Sequence, residues 1–102
     1  MSASKAKGRS LENLVTETLN TNGIPAQRIP LSGSLGGQYS DDVIIGTIEK
    51  PISRLECKFR ESISMQLWDW SEDVDYLVLK RSRKQPLVLM SLDKFIKLYK
   101  GK

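Results

Sequence analysis

Apolar side chains recur at helical spacing in three stretches of the chain. The first stretch runs from Ser10, which suits an N-cap, to about Asn22, where an Asn-Gly pair favours helix termination. The second covers residues 62–74, and the third follows Ser91, another N-cap candidate. The apolar positions of the three predicted helices are Leu11, Leu14, Val15 and Leu19; Ile63, Leu67, Trp70 and Val74; and Leu92, Phe95, Ile96 and Tyr99.

Between these helices, segments rich in β-branched and alternating apolar residues predict five short strands. The first, from Pro25 to Leu31, contains two prolines, which favour the edge of a sheet. The other four are predicted at Asp42–Ile48, Ile52–Phe59, Asp75–Lys80 and Pro86–Ser91. The Ser32–Gly37 segment is too rich in glycine for regular structure, so we expect a loop there.

The predicted order is helix, three strands, helix, two strands, helix. This order indicates an α/β or α+β protein in which helices flank a mixed central β-sheet. A chain of 102 residues is too short for two hydrophobic cores, so we expect one domain over residues 1–102. Residues 1–8 are small, polar and basic, and we expect them to form a flexible arm.

Composition excludes several kinds of chemistry. The chain has no histidine, which excludes a histidine general base, a Ser-His-Asp triad and a histidine-bound metal. A single cysteine, Cys57, excludes an internal disulfide and a multi-cysteine zinc site. If the protein is an enzyme, its carboxylates, lysines, hydroxyls and bound water must carry the reaction.

Charge and hydropathy indicate where the protein works. Sixteen Lys and Arg residues against twelve Asp and Glu residues give a net charge of +4, which suits a polyanionic partner. No apolar run approaches the about 20 residues of a membrane helix, and no apolar block follows the basic N-terminus as in a signal peptide. We therefore expect a cytoplasmic protein with no membrane partner.

The Glu56-Cys57-Lys58 segment is the first candidate for catalysis. On a strand, Glu56 and Lys58 project from the same face, because side chains alternate with a period of two. A carboxylate can hold a hard divalent cation, and a neighbouring lysine can orient water or offset phosphate charge. The alternative is a solvated ion pair on an exposed strand face.

Two further carboxylates could join this segment. Asp41-Asp42 precedes an apolar strand that would form a hairpin with the Glu56 strand, bringing Asp42 and Glu56 to the same end of the sheet. Carboxylates so placed repel each other unless a cation or a proton lies between them. Alternatively, the aspartates only cap a turn. Glu12 lies at the edge of the first helix's apolar stripe, where it could face the sheet or remain a solvated helix residue.

Four short motifs occur in a fixed order: Lys7-Gly8-x-x-x-Glu12, Ser32-Gly33-Ser34, Asp42 followed by Val43-Ile44-Ile45-Gly46, and Glu56-Cys57-Lys58. Together they resemble the archaeal-type Holliday junction resolvase family of PD-(D/E)xK nucleases, including its phage-borne relatives. The resemblance covers residues 7 to about 60 and continues more loosely beyond. Two aspartates stand where the family needs one, and Asp42 is preferred over Asp41 because the apolar strand follows it directly.

The resemblance implies a restriction-endonuclease-like PD-(D/E)xK core and a metal-dependent endodeoxyribonuclease of DNA recombination and repair. Asp42 and Glu56 would bind Mg²⁺, for which Mn²⁺ would substitute, with the Cys57 carbonyl as a possible further ligand and Glu12 acting through water. Lys58 would orient the nucleophile, and Ser34, or else Ser32, would approach the scissile phosphate. A homodimer would nick opposing strands of a four-way junction, in a prokaryotic cell or a phage-infected host. No small-molecule substrate is expected. The number of metal ions in each active site, one or two, is left open.

Basic and small residues around these motifs are predicted to contact DNA: Lys5, Lys7, Arg9, Arg28, Ser32, Gly33, Arg81, Arg83 and Lys84. The basic turn at 81–84 has the alternative role of a solubilising hairpin. Trp68, which cannot share a helix face with Trp70, marks either a dimer surface or a partly buried position. Two other functions compete: a nuclease for other branched or linear DNA, and a non-catalytic nucleic-acid-binding module.

Overall fold

The computed structural model describes residues 3–29 and 43–101, with only the backbone described for residues 3–6. Within these ranges the protein is α+β, and its elements occur in the order that the sequence predicts. The elements are α1 (Ala3–Thr21), β1 (Ala26–Arg28), β2 (Val43–Gly46), β3 (Pro51–Leu55), α2 (Gln66–Ser71), β4 (Leu77–Leu79), β5 (Leu87–Leu89) and α3 (Leu92–Lys100). No helix in these two ranges is long and apolar enough to cross a membrane.

The described strands form two antiparallel sheets instead of the predicted mixed sheet. β1, β2 and β3 form one sheet in that order, and β4 and β5 form the other. Short connections account for the antiparallel pairing of β2 with β3 and of β4 with β5, because parallel neighbours need a long crossover. The chain divides into two compact units, residues 1–61 and residues 62–102, and each unit contains one of the sheets.

In the first unit, α1 packs against β1 and β2. Val15 and Leu19 are buried on the helix, as the sequence predicts, and all three apolar residues of β2 are at most 1% exposed. The prediction for Leu14 is wrong, because its side chain is 57% exposed. Leu14 lies about 100° around the helix from Val15, which puts it beyond the buried stripe.

Helix α1 begins at Ala3, before the predicted N-cap Ser10, so the backbone around Lys5, Lys7 and Arg9 is helical. Whether residues 1–8 are flexible stays a prediction. The helix ends as the Asn-Gly pair indicates. Gly23 has a φ of +81°, and the Ile24 N–H donates to the Leu19 carbonyl at 2.9 Å, a closing bond typical of helix C-termini.

The second unit contains α2, the β4–β5 hairpin and α3. Ser91 caps α3 as predicted, since its hydroxyl accepts a hydrogen bond from the Lys94 N–H at 3.1 Å. Helix α2 is shorter than the predicted 62–74 and ends before Val74. Trp70 is 53% exposed and Val74 is 53% exposed, so their placement in the core is wrong. Without helix beyond Ser71, the predicted apolar face of this segment does not form.

Candidate active site

The β2–β3 hairpin carries the central residues of the predicted site. Its register pairs Val43 with Leu55 at one end and Gly46 with Pro51 near the turn. The Gly46 N–H donates to the Pro25 carbonyl at 2.8 Å, which ties the hairpin to the residue that precedes β1. Since Val43 and Ile45 are buried, the strand that leads out of Asp42 is anchored in the core.

Glu56 and Lys58 lie just beyond β3, not on it as predicted, because the strand ends at Leu55. Leu55 pairs with Val43, the first described residue of β2, so no described residue of β2 remains to pair with Glu56. The alternation nevertheless continues past the strand. Glu56 and Lys58 are exposed while Cys57 is partly buried, and the Lys58 ammonium lies 3.8 Å from the Glu56 carboxylate. The two functional groups are therefore together, which both the catalytic interpretation and the solvated ion pair predict.

Ser32, Gly33, Ser34, Asp41 and Asp42 lie outside the described residues. Asp42 is bonded to Val43 and Glu56 is bonded to Leu55, and Val43 and Leu55 are paired across the hairpin. Each of the two predicted metal ligands is thus one peptide bond away from the same cross-strand pair. The predicted pairing of the two strands is therefore confirmed, and the meeting of Asp42 with Glu56 stays a prediction.

Glu12 lies on α1 with its side chain 20% exposed, and the Arg28 Nε on β1 is 4.0 Å from the Glu12 carboxylate. The guanidinium also donates to the Asn13 side chain at 3.5 Å. The Arg28 guanidinium therefore contacts two residues of α1, Glu12 and Asn13. This arrangement brings Arg28, predicted to contact DNA, beside a predicted catalytic carboxylate.

Lys7 has partners that the sequence did not indicate. Its ammonium is 3.1 Å from the Glu61 carboxylate and 5.4 Å from the centre of the Phe59 ring, within the range of a cation–π contact. These contacts join α1 to the segment that follows Lys58. They were missed because residues 54 positions apart share no periodic signal that would indicate contact. Contact of Lys7 with DNA stays a prediction, and it would compete with these two contacts for the charge of Lys7.

The basic turn of the second unit presents exposed cations at Arg81, Arg83 and Lys84. Lys80 closes this turn by donating to the carbonyls of Arg81 and Lys84, both at 3.2 Å. Arg83 adopts a left-handed φ of +65°. In the first unit Arg9 is also exposed, on α1. Contact of these residues with DNA stays a prediction.

The described residues include two of the three carboxylates in the predicted metal set, Glu12 and Glu56. Among the residues that the structure describes, no three Cys, Asp or Glu side chains lie close enough together to hold a metal ion. Asp42 would have to supply the third carboxylate, in keeping with its predicted role.

No family model, curated protein or solved structure matches this chain. The family resemblance therefore depends on the four sequence motifs alone.

Proposed function

We propose that the protein is a Mg²⁺-dependent endonuclease with a PD-(D/E)xK core that resolves four-way DNA junctions by paired nicks. The observation that carries the proposal is the pairing of Val43 with Leu55. It holds together the two residues to which Asp42 and Glu56 are bonded, at the open end of a hairpin, and the Lys58 ammonium lies 3.8 Å from the Glu56 carboxylate. An acidic pair followed by a lysine on one hairpin is the arrangement that the motif requires.

The chemistry of the donor set suits magnesium. Asp42 and Glu56 offer carboxylate oxygens, the Cys57 carbonyl offers another oxygen, and Glu12 would act through water; Mg²⁺ prefers such hard donors and keeps several waters. When bound, the ion would lower the pKa of a water molecule and offset charge on the phosphate. Glu56 is 62% exposed, so its carboxylate can reach an ion without first breaking a buried contact.

The chain's own residues would bind and orient the substrate. Lys58, with its side chain 56% exposed, would hold the attacking water and neutralise phosphate charge, which is the role left to lysine when histidine is absent. Arg9 on α1 and the cations of the 81–84 turn would contact the DNA backbone without reading its sequence. Ser34 or Ser32 would approach the scissile phosphate. Recognition by shape suits a branched substrate.

Paired nicking requires two active sites, and exposed apolar surface supports a homodimer. On the β4–β5 hairpin, Val78 and Leu87 are each 64% exposed and Val88 is 57% exposed. Val78 and Val88 are cross-strand partners and share one face of the hairpin, and Leu87 lies on the other face. Adjoining exposed apolar side chains such as Val78 and Val88 are typical of protein interfaces. A symmetric pair would present two equivalent catalytic hairpins to the two-fold symmetric strands of a junction.

The experiment compares cleavage of a labelled four-way junction with cleavage of a linear duplex of the same sequence, in Mg²⁺ and in EDTA. It uses the wild-type chain, Glu56→Gln and the matched control Glu49→Gln. Glu49 is an exposed carboxylate in the turn of the same hairpin, at the opposite end from the proposed site. We expect metal-dependent nicks on opposing strands of the junction, retained in the Glu49 variant and lost in the Glu56 variant.

Other outcomes separate the competing functions. Equal cutting of junction and duplex would keep the nuclease and reject junction specificity. Binding of DNA by folded protein without cleavage in Mg²⁺ or Mn²⁺ would reject the enzyme and favour a binding module. Cleavage that survives Glu56→Gln would reject this active site.

A further inference from the structure

The second unit contains a cavity of about 450 Å³ that plays no part in the proposed nuclease site. It lies among α2, the segment 72–75, the residues that follow β5 and the start of α3. Its walls are largely apolar, formed by Leu67, Val74, Leu89 and Met90, with the Trp68 indole also lining it. A volume of this size falls within the roughly 300–1,000 Å³ of typical ligand pockets.

Most polar groups that line the cavity already have partners. The Asp75 carboxylate is 2.7 Å from the Lys94 ammonium. The Ser71 hydroxyl donates to the Trp68 carbonyl at 3.0 Å, and the Ser91 hydroxyl caps α3. These groups therefore have less capacity to bind a further ligand.

Glu72 differs from them. Its backbone N–H bonds to the Asp69 carbonyl, but within residues 43–101 its carboxylate has neither a cation nor a hydrogen-bond donor. The cavity thus combines apolar walls, an indole and one unpaired negative charge.

We propose that this cavity binds an arginine or lysine side chain presented by an apolar segment of a partner protein. The alkyl stem of such a side chain would pack on the apolar walls, while its charged end would meet Glu72 and the indole of Trp68. A phosphate-bearing ligand would be repelled by the same carboxylate. The charge of the lining therefore selects a cation, although the chain as a whole carries +4.

The surroundings favour a protein over a small amine. Trp68 is 56% exposed and Val74 is 53% exposed although both line the cavity, and Met65, beside α2, is 68% exposed. Exposed apolar side chains around a pocket are typical of protein docking surfaces. All predicted catalytic residues belong to residues 1–61, so this inference stands independently of the proposed nuclease.

The test is a titration of short peptides into the whole chain, monitored by two-dimensional ¹H–¹⁵N NMR. The probe is the acetylated, amidated tripeptide Leu-Arg-Leu, and the matched peptide carries citrulline, which has the same shape without the charge. A Leu-Glu-Leu peptide and a deoxynucleoside monophosphate complete the set. We expect the arginine peptide to shift the Trp68 indole N–H and the backbone amides of residues 71–75, with affinity at least about fivefold higher than that of the citrulline peptide.

Matched variants identify the groups responsible. Glu72→Gln should weaken binding of the arginine peptide to the level of citrulline, while Asp69→Asn, which removes a carboxylate on α2 that does not line the cavity, should not. Trp68→Leu should weaken binding, and Trp70→Leu should leave it unchanged, although Trp70 is 53% exposed against 56% for Trp68. The dispersion of each variant's spectrum reports whether it is folded.

Three results would overturn the proposal. The arginine and citrulline peptides could bind equally or not at all at millimolar concentration. The nucleotide could shift the same resonances more strongly. Finally, the Trp68 signals could shift with protein concentration alone, which would assign the cavity to a second copy of the chain.

Discussion

Asn20 and Ala26 exchange two hydrogen bonds that tie the end of α1 to β1. The Ala26 N–H donates to Asn20 Oδ1 at 3.0 Å, and Asn20 Nδ2 donates to the Ala26 carbonyl at 3.0 Å. The same Nδ2 also donates to the Thr16 carbonyl at 3.0 Å. The Asn20 side-chain amide thus satisfies the backbone groups of Ala26 on the edge strand β1. It also fixes α1 relative to the sheet that carries the candidate active site.

We expect Asn20→Ala to destabilise the first unit by about 1–3 kcal/mol, because it leaves the partly buried polar groups of Ala26 without partners. The matched control is Asn22→Ala, which removes a single side-chain bond, to the Thr18 carbonyl. Both tryptophans belong to the second unit, so a probe in the first unit is needed. Hydrogen exchange of the β1 and β2 amides, measured at increasing urea concentration, supplies it. Equal losses in the two variants would contradict this role for Asn20.

Gly46 and Gly23 form a natural pair for a second prediction, since both have a positive φ, of +101° and +81° respectively. A Cβ at Gly46 would lie 2.7 Å from the Lys50 carbonyl oxygen, whereas a Cβ at Gly23 would meet no atom within 4 Å. Gly23→Ala should therefore cost about 1 kcal/mol of conformational strain. Gly46→Ala should cost at least about 2 kcal/mol, because the turn backbone must also move.

The measurement is the midpoint of urea unfolding for both glycine variants, monitored by circular dichroism. Hydrogen exchange of the β2 and β3 amides then reports on the hairpin itself. If Gly46→Ala is no more destabilised than Gly23→Ala, the hairpin can relax around the added methyl group. In that case the geometry of the hairpin end at Val43 and Leu55 is less constrained than we infer.

The sequence predicts the order of elements well, and the reason is local. The run of β-branched residues in Val43–Gly46, the alternation in Pro51–Leu55, the Asn-Gly stop after α1 and the Ser91 cap each depend on residues a few positions apart. The juxtaposition of Glu56 and Lys58 is likewise local, since it follows from a period of two. It therefore holds even though β3 ends before them.

What the sequence does not predict depends on long-range packing. The exposure of Leu14 and Trp70 follows from which part of each helix reaches a core, and periodicity alone does not set that boundary. The contacts of Lys7 with Glu61 and Phe59 join segments far apart in sequence. The mixed sheet was wrong for the described strands because element order does not determine which strands pair.

The ion pair of Asp75 and Lys94 predicts a pH dependence of stability in the second unit. A hydrogen bond and the charge of Lys94 lower the pKa of Asp75 below 3.8, and the same partner raises the pKa of Lys94 above 10.5. A lowered acid pKa stabilises the fold above the unfolded-state value, and this contribution is lost as the pH falls through the folded-state pKa. A raised lysine pKa stabilises below 10.5, and its contribution is lost as the pH rises through the folded-state pKa.

We therefore expect Asp75→Asn to lower the free energy of unfolding by a constant amount at neutral pH, and by progressively less below pH 3.8 and above pH 10.5. Urea unfolding followed by tryptophan fluorescence across this range measures it, because both tryptophans lie in this unit. Added salt should reduce the effect, since the pair is exposed. The control Asp73→Asn removes the same charge where residues 43–101 offer no ion pair. An equal effect in that variant would reject the specific pair.

Glu12 and Glu17 lie on the same helix and test whether the proposed active site extends to α1. Glu12 is 20% exposed beside Arg28, whereas Glu17 is exposed. If Glu12 supports the metal through water, Glu12→Gln should lower the single-turnover cleavage rate by roughly 10–100-fold and raise the Mg²⁺ concentration required. Glu17→Gln should change neither quantity. A Glu12 variant with reduced stability but an unchanged Mg²⁺ requirement would restrict Glu12 to holding Arg28 against α1, and the metal would then depend on Asp42 and Glu56 alone.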